Sequence, residues 1–148
     1  MSLRIPVWRA AVIVAWLPLV GCGRNQASEE STAKAVKVEA IDGSDVNRLI
    51  LTEEGARRLD IQTVAVRRAA VNGVQRKVIP YAAVLYDAEG QAWTYTNPEP
   101  FTYIRARVTV QSVTGDLAVL STGPGPGESV VTTGAAELFG CESEFEEE

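Results

Sequence analysis

The chain has 148 residues, with 14 Lys and Arg against 19 Asp and Glu and no histidine. That length supports one modest hydrophobic core and excludes two full domains. A net charge of −5 is repelled by phosphate backbones and argues against nucleic acid as a partner, and the missing histidines exclude His-dependent triads and His metal sites.

In chain order, residues 1–21 carry Arg4 and Arg9 followed by an apolar run from Ala10 to Val20. This is a basic n-region and a short h-region, the pattern of a signal peptide, and the run is too short for a membrane span of about 20 residues. Without Arg4 and Arg9, 12 basic side chains stand against 19 acidic ones, a net charge of −7. The run ends in Leu19-Val20-Gly21-Cys22, which resembles the lipobox of bacterial lipoproteins. The resemblance implies cleavage before Cys22, acylation of its thiol and attachment to the extracytoplasmic face of a bacterial membrane. Residues 22–35 are then the lipidated cysteine and a polar stretch without a large apolar side chain. Such a stretch is expected to act as a flexible linker, its 13 residues after Cys22 spanning about 20 Å.

Order is expected from Val36. "VKVEAI" and "NRLILT" alternate with period two around an Asp42-Gly43-Ser44-Asp45 turn, as half-buried strands do. Thr52 caps a short helix expected at 53–59, with acids in the first turn and Arg57 and Arg58 in the last, both favourable to the helix dipole. Asn72-Gly73 between apolar neighbours signals a hairpin. Pro80 belongs at a strand edge or junction. "AAVLY" and "AWTYT" flank an Asp87-Ala88-Glu89-Gly90 turn, and Asn97-Pro98-Glu99-Pro100 is expected to break the pattern. "FTYIRARVTV" alternates next, followed by "LAVLS", the loop Gly123 to Gly127 and "ESVVTT". The expectation is an all-β domain over 36–140, a small β-barrel or β-roll of about eight strands. Residues 141–148 are expected to be a solvated acidic tail.

Little of this points to catalysis. The one methionine is Met1, so no thioether copper site is available. With Cys22 lipidated, Cys141 is left without an intramolecular partner. It is either a buried apolar side chain or a thiol for intermolecular pairing. Asp42, Asp45 and Asn47, or the terminal glutamates, are the only candidates for a carboxylate pair or a hard cation, and turn formation and tail solvation account for them more simply. The expectation is a non-enzymatic chain with no cofactor and no metal. Tyr81, Tyr86, Trp93, Tyr95, Phe101 and Tyr103 fall close together. They suit core and cross-strand pairs. The functional alternative is that Trp93, Tyr95, Phe101 and Tyr103 form a partner or ligand surface.

"VKVEAI…LILTEEGARRLDIQTVAV", "VIPYAAVLYDAEGQAWTYT", "RARVTV" and "GDLAVLSTGPGPGESVVTTGAAELFG" together resemble, in order, the β-barrel and membrane-proximal regions of periplasmic adaptors. These adaptors are the membrane fusion proteins of resistance-nodulation-division efflux systems. The likeness spans about residues 36–140. Full adaptors also carry a lipoyl-like domain and usually a long helical hairpin, and the passage from "IQTVAVRR" to "KVIPYAAV" leaves room for neither. The resemblance therefore implies a lipid-anchored, adaptor-like binding module for a membrane transporter or other envelope protein. Its alternative is a stand-alone surface module for a small apolar or glycan ligand. Oligomeric state is open.

Overall fold

The computed structural model describes residues 35–146. The expected signal peptide, the lipidated Cys22, nearly all of the linker and the last two residues lie outside the described residues. The chain is all-β with two helices among the described residues, and its strands form two antiparallel sheets. In chain order the elements are β1 (Val36–Ala40), β2 (Asn47–Leu51), α1 (Glu53–Arg58), β3 (Gln62–Ala65), β4 (Arg67–Val71) and β5 (Val74–Pro80). A 3-10 turn at Tyr81–Ala83 leads to β6 (Leu85–Tyr86), β7 (Ala92–Glu99) and β8 (Thr102–Arg107). Then come β9 (Thr109–Thr114), β10 (Leu117–Thr122), β11 (Ser129–Thr133) and α2 (Ala135–Glu146).

The larger sheet runs β1-β2-β8-β7-β11-β3, with β6 added to β7, and the smaller runs β4-β5-β10-β9. Among the described residues the sheets do not close into a barrel, and the strands number eleven rather than about eight. Two single residues carry the chain from one sheet to the other: Val66 between β3 and β4, and Val108 between β8 and β9. Both are buried. Strands that switch sheets in this way make the corners of packed β-structures without closing a ring.

Local chemistry explains most elements. Val36 and Val38 pair with Leu51 and Leu49 across the β1–β2 hairpin, so the apolar set of each strand meets on one face. Thr52 Oγ1 accepts from the Gly55 amide at 3.0 Å, and Arg57 and Arg58 reach back to Glu53 and Glu54 at 2.6 and 2.9 Å. These contacts stabilise a six-residue helix that is too short to stand on propensity alone. Asn72 and Gly73 turn β4 into β5 with φ of 51° and 78°, the paired left-handed geometry that a two-residue hairpin demands. Pro80 ends β5, at the junction with the 3-10 turn. Asn97-Pro98 does not end β7. The strand continues to Glu99 through a register shift, and the Asn97 amide nitrogen bridges the Glu99 and Thr102 carbonyls at 2.7 and 2.9 Å. A bulge thus replaces the expected break, because the side chain of Asn97 binds backbone carbonyls the distorted ladder leaves over.

Two apolar clusters flank the larger sheet. Leu49, Leu51, Tyr95, Tyr103 and Val131 on one face pack with Ala56 of α1 and Ala135 and Leu138 of α2. Val66, Ile79, Ala83, Val108, Ala118, Leu120 and Val130 fill the space between the sheets. The solvated tail expected from residue 141 is corrected here: residues 141–146 continue α2, and Glu142 is 1% exposed. Ala135, Leu138, Phe139 and Glu142 recur at the spacing of one helical face, so the burial of the first three carries the fourth inward. Gly134 sets the start of the helix. Its φ is 81°, and a Cβ there would meet Ile61 Cδ1 and the Leu59 carbonyl at 2.3 and 2.9 Å, so the backbone turns where a side chain has no room.

Candidate functional site

The register of β7 and β8 places Trp93 opposite Arg107 and Tyr95 opposite Arg105, while Tyr103 lies opposite Leu49 of β2. Directly opposed residues share a face. Trp93, Tyr95, Tyr103, Arg105 and Arg107 are therefore on one side of the sheet, and it is the side that α2 covers. Three of the four candidate aromatics are brought together, but not as an open surface. Tyr95 is fully buried and Tyr103 nearly so, while Trp93 is half-buried. Phe101 stands apart, 38% exposed, at a left-handed φ of 59° just ahead of β8.

Beneath α2 the buried side chains converge on Glu142. Its Oε2 accepts from the Tyr95 hydroxyl at 2.5 Å, and its Oε1 accepts from the Asn47 amide at 3.2 Å. Arg105 Nε lies 3.4 Å from Oε2, with only 11% of the Arg105 side chain exposed. The Arg105 guanidinium also stacks over Trp93 at 4.7 Å and over Phe139 at 5.4 Å, and Arg107 reaches the other margin of Trp93 at 5.7 Å. A charge taken out of water is tolerated only when its counter-charge and its hydrogen bonds come with it. Glu142 has both. The carboxylate is buried, and its contacts tie α2 to β2, β7 and β8.

Trp93 links this cluster to the turn before β7. Its indole Nε1 donates to Asp87 Oδ2 at 2.8 Å, and the Gln91 amide donates to Asp87 Oδ1 at 2.7 Å. The indole hydrogen bond, with help from the Gln91 and Glu89 amides and the Arg105 charge, holds the Asp87 carboxyl below its ordinary range despite some burial. Burial raises the Tyr103 phenol. Burial, then the charges of Glu144 and Glu137, raises the half-buried Cys141 thiol. A thiol raised in this way is a poor nucleophile at neutral pH.

The surface offers less. Phe101 and Tyr103 share a shallow cleft of about 340 Å³ with Glu53, Ala56, Arg57, Asp60 and Ile61. Arg57 is held there by Glu53, which leaves a mixed-charge hollow rather than an apolar pocket. Tyr81 and Tyr86 are 43% and 51% exposed, and the hydrogen bond between them raises the Tyr86 phenol. Asp42 lies in the turn between β1 and β2, and Asp45 just beyond it. No three acidic or thiol groups gather into a metal-binding cluster among the described residues.

Sequence reasoning passed over Glu142 and Arg105. The signal was present as the 135, 138, 139, 142 spacing, but its fourth member is a glutamate at the head of an acidic run. It also passed over the basic β4–β5 hairpin, where Arg67, Arg68, Arg76 and Lys77 occur with no acidic residue from Ile61 to Tyr86. Comparison with known proteins finds no matching family model, no matching curated protein and no matching solved structure.

Proposed function

We propose that the chain is a lipid-anchored envelope protein whose β domain is a non-catalytic, adaptor-like binding module for a membrane transporter or another envelope protein, in an efflux setting. The observation that carries this reading is the order of features along the chain. A basic, apolar leader ends in Leu19-Val20-Gly21-Cys22, a polar stretch follows, and the adaptor-like motifs come after it in sequence. In the fold these motifs fall on β1–β3, β5–β7, the junction of β8 with β9, and β10–β11, with α2 following the last of them.

The stand-alone solute module finds no support of this kind. Tyr95 and Tyr103 are inside, Trp93 is in contact with the guanidinium groups of Arg105 and Arg107, and the Phe101 cleft is shallow and lined in part by charged side chains. Among the described residues the exposed aromatic side chains are Tyr81, Tyr86, Phe101 and Phe145, and tyrosine is a residue enriched at protein interfaces.

The test combines acylation and capture in a Gram-negative host. Mass spectrometry of the mature N-terminal peptide is expected to find an acylated Cys22, and Cys22→Ser to leave the leader uncleaved. Photo-crosslinking residues placed at Tyr81, Tyr86 and Phe101 are expected to trap an integral membrane transporter or another envelope protein. An unmodified Cys22, together with no envelope protein trapped from any of the three positions, overturns the reading.

A further inference from the structure

The β4–β5 hairpin departs from the charge of the rest of the chain. It carries Arg67, Arg68, Arg76 and Lys77, and no acid falls between Ile61 and Tyr86, although acids outnumber bases in the sequence as a whole. The register sets Arg68 directly opposite Lys77 and Arg67 opposite Val78. Like charges placed directly across a ladder destabilise it. Arg67, Arg68 and Arg76 are exposed, and none of them forms an ion pair with a carboxylate of the described residues. Lys77 donates to the Gly123 carbonyl at 2.8 Å, which leaves its charge uncompensated.

The tip of the same hairpin is apolar. Val71 and Val74 flank the Asn72-Gly73 turn, and Val74 is 51% exposed. An apolar tip with cations set behind it matches the layering of a bilayer surface, where acyl boundary gives way to headgroup phosphate. From this arrangement we infer that the β4–β5 hairpin is a docking surface for anionic lipid headgroups. The inference rests on the reading of Cys22 as the lipid attachment site. A tether of about 20 Å keeps the domain beside its own membrane. The bilayer is therefore the anion present at the highest effective concentration, ahead of an acidic polypeptide arriving from solution. Charge at the surface acts within about 8–10 Å, so the hairpin engages only when the domain lies down on its membrane.

The full-length protein, reconstituted into phosphatidylcholine vesicles or into vesicles with about 30% phosphatidylglycerol, gives the test. Hydrogen exchange of the β4–β5 amides is read by mass spectrometry, and acylation of Cys22 is read in the same digest. Each Lys or Arg at an anionic surface changes partition about fivefold, so hairpin exchange is expected to slow at least about fivefold when phosphatidylglycerol is present. High salt should reverse the slowing. The triple variant Arg67→Gln, Arg68→Gln, Arg76→Gln should lose it, while the triple Arg→Lys variant at the same positions retains it. Unchanged exchange in β7 and β8 of both variants certifies that they are folded. Exchange indifferent to phosphatidylglycerol, or slowing that survives the triple Gln change, overturns the lipid surface. Slowing by polyglutamate equal to that by anionic vesicles also overturns it, in favour of an acidic polypeptide. The two readings fail separately. An acylated Cys22 with an indifferent hairpin removes the surface alone, and a slowed hairpin with unmodified Cys22 removes the anchor alone.

Discussion

On the larger sheet one charged side chain of β8, Arg105, is turned inward, while Arg107 stays exposed. Arg105 is held against Glu142 and sandwiched by Trp93 and Phe139, with α2 as the lid. On the smaller sheet the charged side chains of β4 and β5 stand mostly in solvent, and the interior beside them is purely aliphatic. Both sheets are antiparallel, so secondary structure does not account for the difference. The cover does. A helix laid across a sheet must either expel the polar groups beneath it or compensate them, and α2 supplies the carboxylate that pairs with the charge of Arg105. No helix of the described residues covers the hairpin, so its cations keep their water. One region thus uses charge to fix an internal contact, and the other leaves charge available for an external one.

The comparison is tested hardest at Glu142. Glu142→Ala leaves Arg105 beneath α2 without its carboxylate, and breaking a buried pair from one side costs about 3–5 kcal/mol. Denaturant unfolding should register that loss. In a Cys22→Ser background, Cys141 should then react faster with a thiol reagent as α2 lifts. Ile79→Ala removes a side chain that is 1% exposed between the sheets and should cost about 3 kcal/mol. It should do so without speeding the reaction of Cys141 under native conditions. If it releases the thiol as Glu142→Ala does, the two regions are not separable and the contrast fails.

Acid addresses the link between Trp93 and the β6–β7 turn. The folded-state pKa of Asp87 lies below its ordinary value of 3.8. Its contribution to stability is therefore present above that value and is lost as pH falls through the lower, folded pKa. Trp93 fluorescence is expected to stay constant down to about pH 4 and to change below it, and Asp87→Asn should flatten the acid limb of that curve.

The smallest effect expected is a gain. Thr94 is fully buried and its hydroxyl has no hydrogen-bond partner, so Thr94→Val should stabilise the fold by up to about 1 kcal/mol. A loss of stability in the melting curve would show that this hydroxyl is satisfied in solution.

Where local rules act, the sequence was legible. The Thr52 cap, the β4–β5 turn at Asn72-Gly73 and the apolar alternation of β1 and β2 all lie within a few residues of their causes. The β1–β2 register follows from that alternation. Alternation also put Phe101, Tyr103, Arg105 and Arg107 on one face, and for Tyr103, Arg105 and Arg107 that was right. It is the face that α2 closes, and the reading of residues 141–148 as a solvated tail missed that cover. Glu142 was read by its neighbours in sequence, which are acidic and solvated, whereas its fate was set by residues such as Asn47, Tyr95 and Arg105.

The sequence by itself determined the all-β class, the position of the short helix and the turn of the β4–β5 hairpin. Those features depend on periodicity, capping and turn chemistry, which operate over a few bonds. Only the tertiary structure decided that the two sheets stay open, that α2 covers the aromatic face, and that the basic side chains divide into an internal clamp and an exposed hairpin. Burial of a charge depends on whether a counter-charge arrives with it in space, and no local pattern encodes that meeting.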